Sequence, residues 1–313
     1  MYFPYFRGRQ FELLALKELI EKNYIGSNII PIIEPVKLSS TLCSTLETYI
    51  KKSHSIAIIH NPKVGSFIGD LMNINNEKNR MRYFNLLRDN YIFKVHQMNS
   101  NSGMELNNLV ENGFDKKNLL VLNTEYDYLE NYLYEFSQEP PKFTFIPYDR
   151  SFRRTVKENA ILLNDKFNKQ TKNSDYQIIE DEFFSDDHLF FETEGFSGFS
   201  DYSIIGNEYL EGGFAPYAVA IHIVYFDQNN NLKIRHFVSD SNDGINDPAK
   251  KFYEAVSKLS IWYKSIDSIN HSFGLDCFIK HYKDGSYPGL GTVKKLSIMH
   301  HLEIMEKFFG RIS

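Results

Sequence analysis

The sequence is short of several things, and each shortage removes a class of protein. Only two cysteines occur among 313 residues, Cys43 and Cys277, with no CxxC pairing. That excludes a disulfide framework, and a reduced, cytoplasmic setting is expected. No apolar run approaches the ~20 residues of a membrane-spanning helix, so no membrane association is expected. The first residues carry Pro4, Arg7 and Arg9 in place of the apolar core of a secretory signal. Positive charge is not in excess. Thirty-five Lys and Arg stand against 40 Asp and Glu, a net charge of −5, which argues against direct nucleic-acid binding driven by phosphate contacts. GxGxxG, Walker, HExxH and GxSxG patterns are all missing, and with them the ready-made readings those motifs carry.

What the chain does have is rhythm. Apolar strand-like segments recur at roughly thirty-residue intervals with helical patterns between them, the spacing of strand–helix–strand units. Ile29–Ile33 runs into Glu34, Ser55–Ile59 into His60 and Asn61, and Tyr91–Val95 into His96. Leu119–Leu122 runs into Asn123, Phe143–Pro147 into Asp149 and Arg150, and Ala160–Leu163 into Asn164 and Asp165. Helices are predicted over Gln10–Glu21, Ser40–Lys52, Asn76–Asn90, Met104–Asn112 and Tyr126–Phe136, and Tyr2–Tyr5 reads as a short strand or plug. Asn168–Asp175 reads as a loop and Gly195–Gly198 as a small flexible segment. The last third breaks the rhythm. Tyr217–Phe226 and Leu232–Ser239 flank the turn-forming run Asp227–Asn231, which predicts a hairpin. Two helices then close the chain, one capped by Asp247 with Pro248 at its first position and one opening near Thr292. The fold class expected is α/β: a TIM-like barrel with a C-terminal β-hairpin insertion and closing helices. It is taken as a single barrel-like domain over 1–313, with the hairpin at about 217–239. The alternative is an open mixed sheet with helices on both faces.

In a parallel barrel all strand ends converge on one mouth, where catalytic residues of such folds sit. Glu34 ends a buried strand and precedes Pro35, which suits a general acid or base; the plain alternative is a carboxylate paired with Lys37 or another cation. His60 follows one strand and Lys94 and His96 flank the end of the next; as parallel neighbours they are assigned to the same mouth, where imidazoles shuttle protons or bind a metal, with a hydrogen-bonded structural role as the plain reading for each histidine. Asp149, Arg150 and Arg153 form a basic cluster suited to an anion, or else a solvated helix start. Asn164 and Asp165 complete the ring. Asp181, Glu182, Asp186, Asp187 and His188 crowd together, but without the glycine and spacing of a calcium loop they read as an acidic loop, and no metal site is assigned. His300 and His301 fall mid-helix, one facing the core and one facing outward. The sequence does not identify a cofactor.

The opening Tyr2-Phe3-Pro4-Tyr5-Phe6-Arg7-Gly8-Arg9-Gln10 and the stretch Pro31-Ile32-Ile33-Glu34-Pro35-Val36-Lys37 resemble an uncharacterised bacterial family similar to the Beta protein family. Glu182–His188, Gly198–Tyr202, Tyr217–His222, His236–Asp240 and Pro288–Gly291 extend the resemblance over nearly the whole chain. Members are often encoded beside a small PD-(D/E)xK-like putative nuclease in mobile or defence-like neighbourhoods. The resemblance therefore implies a nuclease-like partner and a phage-defence setting, and no catalytic residues. It draws attention to Asp201, Tyr202, His222, His236 and Asp240, of which the two histidines are expected to face each other across the hairpin. The function expected is a partner or ligand-recognition protein acting with a nuclease-like subunit. The alternative is an enzyme acting on a phosphorylated small molecule or nucleotide, with Glu34 as general acid/base.

Overall fold

A computed structural model describes residues 1–212 and 216–312. Contacts divide the chain into two compact units. One comprises Met1–Gln10, Ile29–Asp165 and Asp187–Tyr202; the other comprises Phe11–Asn28, Lys166–Asp186 and Ser203 onward.

The first unit is an eight-stranded parallel sheet rolled into a TIM-like barrel. Its strands are β1 (Tyr5–Phe6), β2 (Ile32–Ile33), β3 (Ile56–Ile59), β4 (Ile92–Gln97), β5 (Leu120–Leu122), β6 (Phe143–Ile146), β7 (Ala160–Asn164) and β9 (Gly198–Asp201), hydrogen-bonded in that order. The connecting helices are α2 (Ser40–Lys51), α3 (Phe67–Met72), α4 (Glu77–Leu86), α5 (Ser102–Glu111), α6 (Leu129–Phe136), α7 (Arg150–Thr155) and α9 (Asp187–Phe190). β1 and β2 are short because Pro4 and Pro31 precede them, and proline has no N–H for the ladder. Their carbonyls still pair: Ile32 N donates to Pro4 O and Ala57 N to Pro31 O, each at 2.8 Å.

Closure comes from the residues ahead of β1. Phe3 N donates to Phe199 O at 2.9 Å and Phe199 N to Met1 O at 3.1 Å. Gly198 makes this possible, because a Cβ there would lie 2.6 Å from Met1 O and 3.2 Å from a ring carbon of Phe3. The barrel interior is filled by alternate residues of each strand, among them Phe3, Ile32, Ile59, Val95, Leu122 and Phe145. Phe3 meets Phe145 edge-on at 5.2 Å, a favoured arrangement of aromatic quadrupoles.

The second unit holds α1 (Gln10–Glu21, of which Gln10 is counted with the barrel), β8 (Asp181–Ser185), α8 (Tyr176–Ile179), the strands β10 (Ala220–Phe226) and β11 (Leu232–Val238), and the helices α10 (Pro248–Trp262), α11 (Phe273–Asp284) and α12 (Leu290–Ile312). β10, β11 and β8 form an antiparallel sheet in that order. Asp247 caps α10 by accepting from Lys250 N at 3.0 Å, which satisfies one of the donors left over at a helix start.

Several expectations need correction. The predicted hairpin exists, but it is joined by β8 in its own sheet, where an acidic loop was expected at Asp181–Ser185. Three helices close the chain, not two. The one missed is α11, which packs on α12 at Gly274, where a Cβ would fall 2.6 Å from Leu296 O. Gly198 opens a barrel strand and is not part of a flexible segment. The helix expected over Asn76–Asn90 is shorter, Glu77–Leu86, behind a separate turn at Ile74–Asn76. Neither His300 nor His301 faces outward. Both are fully buried, His301 against Ser203 Oγ at 2.8 Å.

Candidate functional site

The carboxyl ends of the barrel strands do converge, because all eight strands are parallel. At their centre lies Glu34, 1% exposed. Ile30 and Ile32 line the interior, and Glu34 continues that face two residues on. One carboxylate oxygen accepts from Tyr5 OH at 2.7 Å and from the Arg7 guanidinium. The other accepts from Lys63 N and Gln97 Nε2, each at 2.9 Å. Four protein donors thus occupy the carboxylate, and Arg7 is its cation where Lys37 was considered; Lys37 is exposed.

The supporting residues are themselves fixed. Gly8, with φ of +63°, turns the chain after Arg7 so closely that a Cβ would stand 2.9 Å from Ile33 and 3.1 Å from Glu34 O, a backbone conformation suited to glycine. The Arg7 guanidinium lies 5.1 Å from the Tyr5 ring and 5.7 Å from the Tyr202 ring, within cation–π range. Tyr5 and Tyr202 pack at 4.8 Å. Burial, then the neighbouring Glu34 charge, pushes the Tyr5 hydroxyl well above its usual pKa, and burial takes Tyr202 up to about 12. Asn61 clamps the Gln97 backbone from both sides, donating to its carbonyl and accepting from its N–H at 2.9 Å each. Asn61 and Asn99 both donate to Glu105, at 2.7 and 3.0 Å.

The other sequence-derived candidates scatter. His60 and Lys94 do not face this interior. Ala57, Ile59 and Val95 do, so strand alternation turns His60, Lys94 and His96 toward the helices. His60 Nε2 meets His96 Nδ1 at 2.8 Å, and Lys94 Nζ donates to Leu87 O at 2.6 Å. Burial, then the Lys94 charge, pushes the pKa of His60 down to about 4; burial brings Lys94 down to about 8. Asn164 likewise falls on the outward face of β7, in register with Asp201, and Asp201 accepts from Tyr2 OH at 2.8 Å.

Asp149 caps α7 by accepting from Ser151 N at 2.7 Å. A hydrogen bond from Tyr126, with the cap amides, holds its carboxyl below the usual range. Arg150 is exposed at the start of α7. Arg153 lies over the Phe196 ring at 4.6 Å. Asp165 is exposed just past β7 and adds to the upward shift of Tyr202.

In the second unit, His222 and His236 are register partners on β10 and β11, with Nδ1 atoms 2.7 Å apart. His236 Nε2 meets Glu182 Oε1 at 3.1 Å. Glu182 accepts there, so neutral His236 carries its proton on Nε2 and takes the Nδ1 proton of His222. Burial lowers the pKa of both rings; Glu182 opposes the shift at His236. The Tyr176 ring packs on both, 4.7 Å from His222 and 4.5 Å from His236. Asp240 pairs with Lys258 at 2.6 Å.

Among the described residues no group of three or more His, Cys, Asp or Glu side chains is disposed to hold a metal ion, and no helix is long and apolar enough to cross a membrane. Cys43 and Cys277 are free thiols. Sequence reasoning missed Tyr5, Arg7 and Gln97 as site residues, whereas the resemblance draws attention to Tyr202. The signal that leads to Tyr5 and Gln97 is interior parity, counted along each strand from the residues that fill the barrel. No family model matches the chain, and neither a curated protein nor a solved structure does.

Proposed function

We propose that this chain is a recognition protein, working with a nuclease-like subunit in a reduced, cytoplasmic defence setting, and that its barrel mouth is a rigid polar binding floor. The single observation carrying this reading is the saturation of Glu34. A general base needs a lone pair aimed at substrate, whereas four donors of the protein already meet this carboxylate. A floor whose donors and acceptors are fixed before a ligand arrives loses little side-chain freedom on binding. The nuclease-like partner rests on the resemblance of the sequence segments alone. Co-expression with the neighbouring gene product, followed by size-exclusion chromatography, tests it. Co-elution is expected, and separate elution at micromolar concentration counts against the partnership.

The second reading is an enzyme acting on a phosphorylated small molecule or nucleotide. It is favoured by the placement of Glu34 at the carboxyl end of a barrel strand, where such folds carry their chemistry. Arg150, exposed at the first position of α7, would take the anion. Glu34→Gln is then expected to abolish phosphate release from a panel of sugar phosphates and nucleotides with the fold retained. Turnover unchanged by the substitution rejects Glu34 as its acid or base.

A further inference from the structure

Outside the barrel, between β4 and the helices α4 and α5, lies a cavity of about 520 Å³, within the size range of small-molecule sites. Tyr83, Phe84, Leu109 and Phe114 supply apolar and aromatic walls. Among its polar side chains, Arg88 and Lys94 bring positive charge, His60 an imidazole and Asn112 an amide, and no carboxylate lines it.

The imidazole is polarised from behind. Ser102 Oγ accepts from Asn99 N at 2.8 Å and lies 2.8 Å from His96 Nε2. Ser102 is fully buried. Were His96 to donate to it, the hydroxyl proton would be left with no acceptor, at the cost of an unsatisfied buried donor. Ser102 therefore donates to His96 Nε2, His96 Nδ1–H donates to His60 Nε2, and the remaining proton of His60 stands on Nδ1. That nitrogen has no protein partner among the described residues. Lys94 uses one N–H on Leu87 O and lies 3.6 Å from the centre of the Phe114 ring, which leaves donors of its three-proton head unused. The Arg88 side chain has no hydrogen bond or ion pair among the described residues.

We propose that this cavity is a binding site for a small aromatic carboxylate, the ring lying among Tyr83, Phe84 and Phe114 and the carboxylate meeting Arg88, Lys94 and His60 Nδ1–H. The proposal is independent of the barrel mouth. Charge-assisted bonds from Arg and Lys are the strong ones, and a half-buried lysine gains most when an anion replaces lost hydration.

Titration calorimetry with 1-naphthoate and its neutral counterpart 1-naphthamide tests it, with His60 imidazole resonances followed by NMR. Naphthoate is expected to bind with the amide weaker by about tenfold or more, since a neutral amide forfeits the charge-assisted contacts. Arg88→Ala, at an exposed position that the fold does not need, is expected to weaken naphthoate by about fivefold. The His60 resonances are expected to move on binding. No naphthoate binding at about 5 mM, the weak end of the affinity scale, overturns the proposal. Equal binding of acid and amide, unchanged affinity in Arg88→Ala, or heat without movement of the His60 resonances would each overturn it as well.

Discussion

His60, just past the end of β3, and His96, on the adjacent β4, stack with ring centres 5.1 Å apart, and a single proton joins Nε2 of one to Nδ1 of the other across 2.8 Å. The arrangement fixes both tautomers through Ser102. Long-range proton–nitrogen correlation spectra should show His60 and His96 protonated on Nδ1 at neutral pH. Ser102→Ala should redistribute the tautomers of both rings and cost about 1–2 kcal/mol, the usual result of stranding a buried partner. Unchanged imidazole spectra in that variant would refute the relay.

Glu34 and Arg7 form the buried ion pair of the barrel mouth, with side chains 1% and 12% exposed. Removing one member of such a pair leaves a desolvated charge, so Arg7→Met should lower unfolding free energy by about 3 kcal/mol in urea titrations. Adding Glu34→Gln to Arg7→Met should recover part of the loss. Strictly additive single effects would mean that the two side chains are not coupled.

His300 donates Nε2–H to Val224 O and takes the Ser272 hydroxyl proton at Nδ1, at 2.7 Å each. Burial pushes its pKa from 6.5 down to about 4, so the unfolded chain binds this proton more readily than the folded one. The contribution of this group to stability is whole above pH 6.5, declines as pH falls toward about 4, and is level below that. It amounts to roughly 3 kcal/mol. His300→Gln should reduce the slope of unfolding free energy against pH in that window by roughly one proton. An unaltered slope would show that His300 is not the titrating group.

Gly198→Ala should destabilise by about 1–3 kcal/mol through overpacking at barrel closure. Gly69→Ala, in α3 with nothing within 4 Å of the new methyl, should be neutral or stabilise by up to about 1 kcal/mol. Chemical denaturation of the two variants side by side checks the contrast, and equal effects would count against the crowding seen at Gly198.

The rhythm of the chain made the barrel legible, and the predicted α1 bounds coincide with the observed Gln10–Glu21. The faces of the strands were not legible. Ile56, Ala57, Ile58 and Ile59 are all apolar and all buried, as parallel strands covered on both sides must be. Such a strand does not announce which alternate set looks inward, so chemistry alone points to His60 and Lys94 at the mouth and gives Gln97 no mark. β9 was hidden for a different reason. Gly198-Phe199-Ser200-Asp201 is short and carries a glycine that weakens strand propensity, yet close approach to Met1 and Phe3 requires that glycine. The hairpin was readable because Asp227–Asn231 is turn-forming and its arms alternate; the facing of His222 and His236 followed from counting outward from the turn.

The pairing of Phe3 with Phe199 has a consequence for synthesis. Tyr2 and its hydrogen-bonded partner Asp201 are 199 positions apart, so the first strand of the barrel waits for the barrel's eighth to be translated before both of its flanks are paired. Until then a naked sheet margin is offered to any passing chain, the kind of template on which strands from other molecules can add. Slowing translation before β9 has emerged from the ribosome should therefore raise the aggregated fraction of nascent protein, while a pause after β9 has fully emerged should not.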